Sequence, residues 1–310
     1  MPTKLYKYLK FSVNSLRAIT EAEIFYTEPR KFNDPLDCSP SIAIDIERID
    51  LERVLYRMLR KRVGPKRAKG KIGDLRYFFS QCRDYRVADS LAERNHMRCL
   101  GNDILAELTN ELGSDGVFAL SASWRSVLMW SHYADEHRGL CIEYDTSDQI
   151  HPRLRPVNYR SPRAINASDL LLWKLRDDEH AKARVLQTYF YTKSSEWRYE
   201  REWRDVSESS GVKEVPFRIS AILFGFRCDS SIITSIVKLV NENTGIKLWH
   251  VEPEYDSFRL RRHLVDRDEL GSLGVRTPSY IWLKELTDGF DDVDDPETEA
   301  QPNTPITPAA

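Results

Sequence analysis

The residues Lys193–Arg204, K-S-S-E-W-R-Y-E-R-E-W-R, interleave acids, bases and aromatics. On a strand, side chains two apart share a face. That spacing groups Glu196, Arg198, Glu200, Glu202 and Arg204 on one side and Trp197, Tyr199, Arg201 and Trp203 on the other. Two carboxylates held side by side repel, and burial raises the pKa of at least one. In a cleft, such a pair can accept a proton, hold a ribose hydroxyl or stabilise a developing cation. On an open sheet the same residues form only an ion ladder, whose pairs are individually weak.

Other candidates are spread along the chain. Ala119–Ser123, A-L-S-A-S, ends a strand with the hydroxyls of Ser121 and Ser123 on one face; serines there also form turns. His132 and Tyr133 follow on a short helix, where a histidine can act as a base or hold structure. Tyr6, Lys7 and Tyr8 place two phenols on one strand face and a cation on the other, a set able to hold a nucleotide. Asn33 and Asp34 belong to the turn F-N-D-P, in which their side chains bond local backbone.

These candidates need elements to position them. Lys4–Tyr8 and Glu23–Thr27 read as strands around a short helix capped by Ser12. Helical patterns follow over Asp50–Val63 and Ile72–Glu111, parted by the basic loop Gly64–Gly70, as a separable insert at about 45–112. Short strands then take over, with Asp169–Tyr191 as one long helix and Trp197–Val206 as a strand. A helix at Ser230–Asn243 and a strand pair, Ile246–Glu252 with Phe258–His263, complete the pattern. Strands and helices without strict alternation predict an α+β fold on a mixed or antiparallel sheet. The expected organisation is one domain over 1–287 and a disordered acidic tail over 288–310.

Composition narrows the classes. The 310 residues carry 46 Lys+Arg and 48 Asp+Glu. The stretch Asp288–Ala310 holds seven acids and no Lys or Arg, so the net charge of −2 divides into a body of +5 and a tail of −7. Within the body, Glu52–Lys71 has nine bases and one acid, and Arg53–Lys71 is a candidate surface for anions. No apolar run is long enough to span a bilayer, and Met1–Lys10 lacks the apolar stretch of a signal peptide. Five cysteines without a C-x-x-C pair point to reduced thiols in the cytoplasm. No P-loop, G-x-G-x-x-G, H-E-x-x-H or G-x-S-x-G motif occurs, and the scattered histidines predict no metal site.

Five segments taken together resemble a bacterial family known only as domain of unknown function 2971. They are L-Y-K-Y near the start, F-N-D-P-L-D at Phe32–Asp37, M-W-S-H-Y-A-D at Met129–Asp135, G-L-C-I-E-Y-D at Gly139–Asp145 and W-R-Y-E-R-E-W-R. The resemblance runs from Lys4 to Phe226 and carries no activity with it. A nucleotide-contacting first strand, then S-x-S, then E-x-E, is also similar to the arginine-type ADP-ribosyltransferases. That second resemblance implies NAD as substrate, Glu202 as catalytic carboxylate with Glu200 as its partner, and Ser121 and Ser123 as supporting residues. Tyr6, Lys7 and Tyr8 would contact the cofactor, with His132, Tyr133, Asn33 and Asp34 as further site residues. Those enzymes use Arg or His on the first strand, and this chain departs from them there.

The resulting expectation is an ADP-ribosyltransferase or NAD glycohydrolase, in the role of a toxin or antiphage (phage-defence) effector with a nucleic-acid or protein acceptor. One alternative is a nucleic-acid-binding protein or nuclease that uses the basic segment. Another is a non-catalytic sensor or interaction module whose tail shields that segment.

Overall fold

The computed structural model of the chain describes residues 2–84, 89–147, 153–240, 244–266 and 270. The acidic stretch 288–310 lies outside them. Residues Met1–Val265 form one compact unit.

An eight-stranded sheet is its centre, in the spatial order β12-β11-β10-β5-β1-β4-β8-β6. The strands are β1 Lys4–Leu9, β4 Gly116–Ser121, β5 Leu140–Asp145, β6 Arg155–Pro156, β8 Glu202–Ser207, β10 Arg218–Phe224, β11 Lys247–Pro253 and β12 Leu260–Leu264. All neighbouring pairs are antiparallel except β10 with β11. The expected α+β fold on a mixed sheet is thus what the chain adopts. Two small sheets flank it: β2 Glu23–Tyr26 with β9 Gly211–Glu214, and β3 Ser41–Ala43 with β7 Ala164–Asn166.

The strand β5 is central because both its faces are apolar enough to be covered: Leu140, Cys141, Ile142 and Tyr144 are all buried. One face receives α5, Val127–Tyr133, which buries Trp130 against Tyr8 with ring centroids 5.2 Å apart. Ser126 caps this helix by accepting a hydrogen bond from the Met129 amide. Gly139 and Gly225 abut where β5 begins and β10 ends, and the Gly225 amide donates to the Gly139 carbonyl at 3.0 Å. A Cβ on Gly225 would collide with the His137 carbonyl.

The helices α2 Arg48–Val63, α3 Pro65–Asp84 and α4 Asp89–Leu112 occupy the predicted insert. They have no core of their own. Leu51, Leu55, Leu59, Leu100, Ile104 and Leu108 join Leu170, Val185, Tyr189 and Phe190 in one apolar cluster. The insert is therefore integral rather than separable. Its basic face is partly neutralised: Arg62 pairs with Glu107 at 2.6 Å, Lys61 with Glu111 at 3.3 Å and Lys71 with Asp103 at 3.5 Å.

Several expectations need correction. The expected loop Gly64–Gly70 is helical from Pro65 onward, and the pattern Ile72–Glu111 is shared by α3 and α4. The helical pattern Asp169–Tyr191 is broken into α6 Ala167–Arg176 and α7 Glu179–Tyr191. Asp177 takes the left-handed conformation that ends α6, and the Asp178 carboxylate accepts the Ala181 amide to start α7. The stretch expected as one strand, Trp197–Val206, begins instead as a 3-10 turn, Ser195–Glu200, and only Glu202–Ser207 is strand.

Candidate functional site

The strand β1 runs beside β5 over six residue pairs but meets β4 at one, Tyr6 with Ser121. Where β1 and β4 part, a cleft of about 440 Å³ opens. Lys7 bridges the parting, its Nζ donating to the Ala119 carbonyl at 2.9 Å. Ser121 is in turn paired with Glu202 on β8, so Tyr6, Ser121 and Glu202 lie in one row across three strands.

Glu200 closes the 3-10 turn and Glu202 opens β8. Between them Arg201 has φ 48° and ψ 48°, a conformation uncommon outside glycine. Both carboxylates reach the cleft wall, yet they are 3% and 7% exposed, so they do not form a surface ladder. Lys193 at the end of α7 ties them together: its Nζ is 2.6 Å from Glu200, 3.2 Å from Glu202 and 3.2 Å from Asp37. Arg204 is fully buried. Its guanidinium holds Glu202 through two hydrogen bonds of 2.8 and 2.9 Å and Asp37 through two of 2.9 and 2.6 Å. It also donates to the Phe190 carbonyl at 2.7 Å. This planar, doubly bidentate arrangement is one that lysine could not reproduce.

These environments drive the two acids apart. Burial works to raise Glu202, but Arg204 and Lys193 outweigh it and hold the carboxyl at about 2. Glu200 goes up, first through burial and then through the Glu202 charge, with Lys193 only partly opposing. Its Oε1 accepts the Tyr133 hydroxyl at 2.7 Å. Burial also lowers Lys7 to about 8, against the pull of Glu202 and Glu200. The wall therefore offers a permanently ionised carboxylate, a carboxylate able to take a proton and a lysine that loses its charge in mild alkali.

The cleft gathers most of the residues singled out from sequence. Tyr6, Lys7, Tyr8, Asn33, Ser121, His132, Tyr133, Glu200 and Glu202 all line it. Ser123 and Asp34 do not line it. The Ser123 hydroxyl accepts the Arg125 amide and Asp34 accepts the Leu36 amide, so both serve turns. The Ser121 hydroxyl, fully buried, donates to the carbonyl of Glu200 at 2.7 Å and so anchors the turn that presents this carboxylate. Tyr8 donates to the Ser123 carbonyl at 2.8 Å, which leaves Lys7 as the first-strand residue with a charge in the cleft. His132 is exposed at the rim.

Sequence reasoning gave Lys193 and Arg204 no part in a site and reached Asp37 only as an acid that a nuclease could use, although each stands inside or beside a quoted motif. Their signal was position: Asp37 ends F-N-D-P-L-D, and Lys193 and Arg204 bound the acid–aromatic stretch. Among the described residues, Cys38, Cys99, Cys141 and Cys228 are free thiols, and no helix is long and apolar enough to cross a membrane.

No curated protein and no solved structure matches the chain significantly. The segment from α5 to Arg204 carries Tyr133, Lys193, Glu200 and Glu202, and Lys7 and Asp37 complete the cleft from outside it. Residues 129–204 match the model of the family described as protein of unknown function DUF2971.

Proposed function

We propose that the cleft breaks the N-glycosidic bond of NAD, as an ADP-ribosyltransferase or NAD glycohydrolase working in the cytoplasm. One observation carries the reading. A carboxylate with a raised pKa, Glu200, faces the cleft beside a second that is kept ionised. When the bond breaks, the electron pair leaves with nicotinamide, whose ring nitrogen becomes neutral, and positive charge develops on the ribose. Ionised Glu200 stabilises that cation and then accepts the proton of the attacking water or acceptor hydroxyl. A base with an elevated pKa suits the second step better than Glu202 does.

The roles inferred from the transferase resemblance are thereby exchanged. Glu202 is spent on Arg204 and Lys193 and acts as a positioning residue, holding Lys193 against Glu200. Lys7 and Lys31 line the same cleft and suit a pyrophosphate as point charges. Phe32 and Tyr133 offer faces for an aromatic base. The unpaired thiols fit a reducing compartment.

The test is release of nicotinamide from NAD by the purified chain, resolved by chromatography. The wild type should consume NAD and Glu200→Gln should not, while binding it with similar affinity by calorimetry. Failure of the wild type both to bind and to consume NAD, with or without a lysate as acceptor, would overturn the reading.

A further inference from the structure

Far along the sheet from the cleft strand β8, the edge strands bring together three groups that no motif joins. His250 on β11 pairs directly with His263 on β12, and Glu252 lies two residues along β11 on the same face as His250. The imidazole Nδ1 atoms of His250 and His263 are 3.9 and 3.7 Å from Oε1 of Glu252. One ligand atom from each of the three lies within 4.8 Å of the others. Zinc bonds to nitrogen and oxygen of about 2.0–2.2 Å place tetrahedral neighbours about 3.4 Å apart. The two histidine–glutamate spacings therefore need only a few tenths of an ångström of closure, and the third pair, within 4.8 Å, needs at most about 1.4 Å, within reach of side-chain rotation.

We propose that His250, Glu252 and His263 form a binding site for a late first-row divalent cation, with zinc as the reference ion. Two imidazoles and one carboxylate suit that class rather than calcium or magnesium, which prefer all-oxygen shells. Arg261 contacts the other carboxylate oxygen of Glu252 at 3.2 Å, which leaves Oε1 turned to the histidines. The residues are half-buried to exposed, so the cation has access and water completes its coordination. Because β12 is the terminal strand of the sheet, a bound ion would clamp β12 to β11 at the edge. The proposal rests on residues outside the cleft and stands apart from the NAD reading.

The experiment is calorimetric titration of the tag-free full chain with zinc chloride in a non-chelating buffer, with thermal unfolding in parallel. One equivalent should bind and raise the melting temperature. Both effects should disappear in the His250→Ala, His263→Ala double variant and in Glu252→Gln, and persist in His180→Ala, which removes an exposed histidine elsewhere. Equal metal-free melting temperatures would exclude misfolding as the cause of a loss. Cobalt, used as a coloured substitute, should show no thiolate charge-transfer band. Absence of binding in the wild type, unchanged binding in the double variant, or a thiolate band would each overturn the proposal.

Discussion

Glu202 and Arg204, two residues apart on one strand, face each other through hydrogen bonds of 2.8 and 2.9 Å in the protein interior. The guanidinium takes Asp37 by its other edge, so one buried cation joins the second family-like segment of the chain to the last. This pairing keeps Glu202 ionised and leaves Glu200 as the carboxylate of the cleft with a raised pKa. It also makes Arg204 a keystone whose loss has large consequences.

Replacing Arg204 with methionine should destabilise the protein by about 3–5 kcal/mol, because the buried Asp37 and Glu202 are then left to share Lys193 as their cation. Urea unfolding should show the lower midpoint. Arg204→Lys should recover little of it, since an ammonium cannot serve two carboxylates bidentately. A change within ~0.5 kcal/mol would mean the pair contributes no net stability.

The depressed Glu202 pKa has a defined pH signature. Its folded value lies below the ordinary 4.5, so the stability it contributes is complete above 4.5 and is lost as pH falls through about 2. Glu202→Gln should lower stability at neutral pH and flatten the acid limb of the unfolding midpoint against pH. An acid limb identical to that of the wild type would show that other groups set it.

Lys7 should govern substrate affinity in mild alkali. Burial lowers it to about 8, so its charge is lost above that pH while an ordinary lysine would keep it. If it pairs with the pyrophosphate, KM for NAD should rise above pH 8 with kcat little changed. Lys7→Gln should show the high KM at every pH. A KM that stays flat through pH 8 in the wild type would remove Lys7 from phosphate binding.

Tyr133→Phe deletes the hydroxyl that donates to Glu200 at 2.7 Å and so favours its ionised form. The limb of the kcat/KM pH profile that belongs to Glu200 should move upward, with folding unaffected. Should the profile stay in place, Glu200 is not the titrating base.

Gly225→Ala should cost about 1–3 kcal/mol by overpacking, because the added carbon meets the rigid His137 carbonyl rather than a movable side chain. Thermal unfolding measures it. Full stability in this variant would show that the β5–β10 junction relaxes easily.

Much of the element order was legible because it is local. Ser12 announces a helix start through its cap, and L-C-I-E-Y announces a strand. The failures were also local ambiguities. The alternation in W-R-Y-E-R-E-W-R fits a strand as readily as a 3-10 turn, and nothing in an arginine at 201 signals a left-handed residue. At Asp177-Asp178 two helices with matching periodicity read as one, although aspartates both stop and start helices.

The sequence by itself determined which residue types were present to do chemistry and on which elements most of them would lie, because propensity and periodicity act over a few residues. Glu200, Glu202, Ser121 and Lys7 were grouped only through the transferase resemblance. Which of them would be charged was a tertiary decision. Asp37 and Arg204 are 167 residues apart, and the state of each carboxylate depends on which cation the fold brings to it after water is removed. The same holds for His250 and His263, which only the pairing of two strands makes neighbours. Burial and pairing at long separation have no local signature, so the roles within the cleft are set by the fold rather than by any motif.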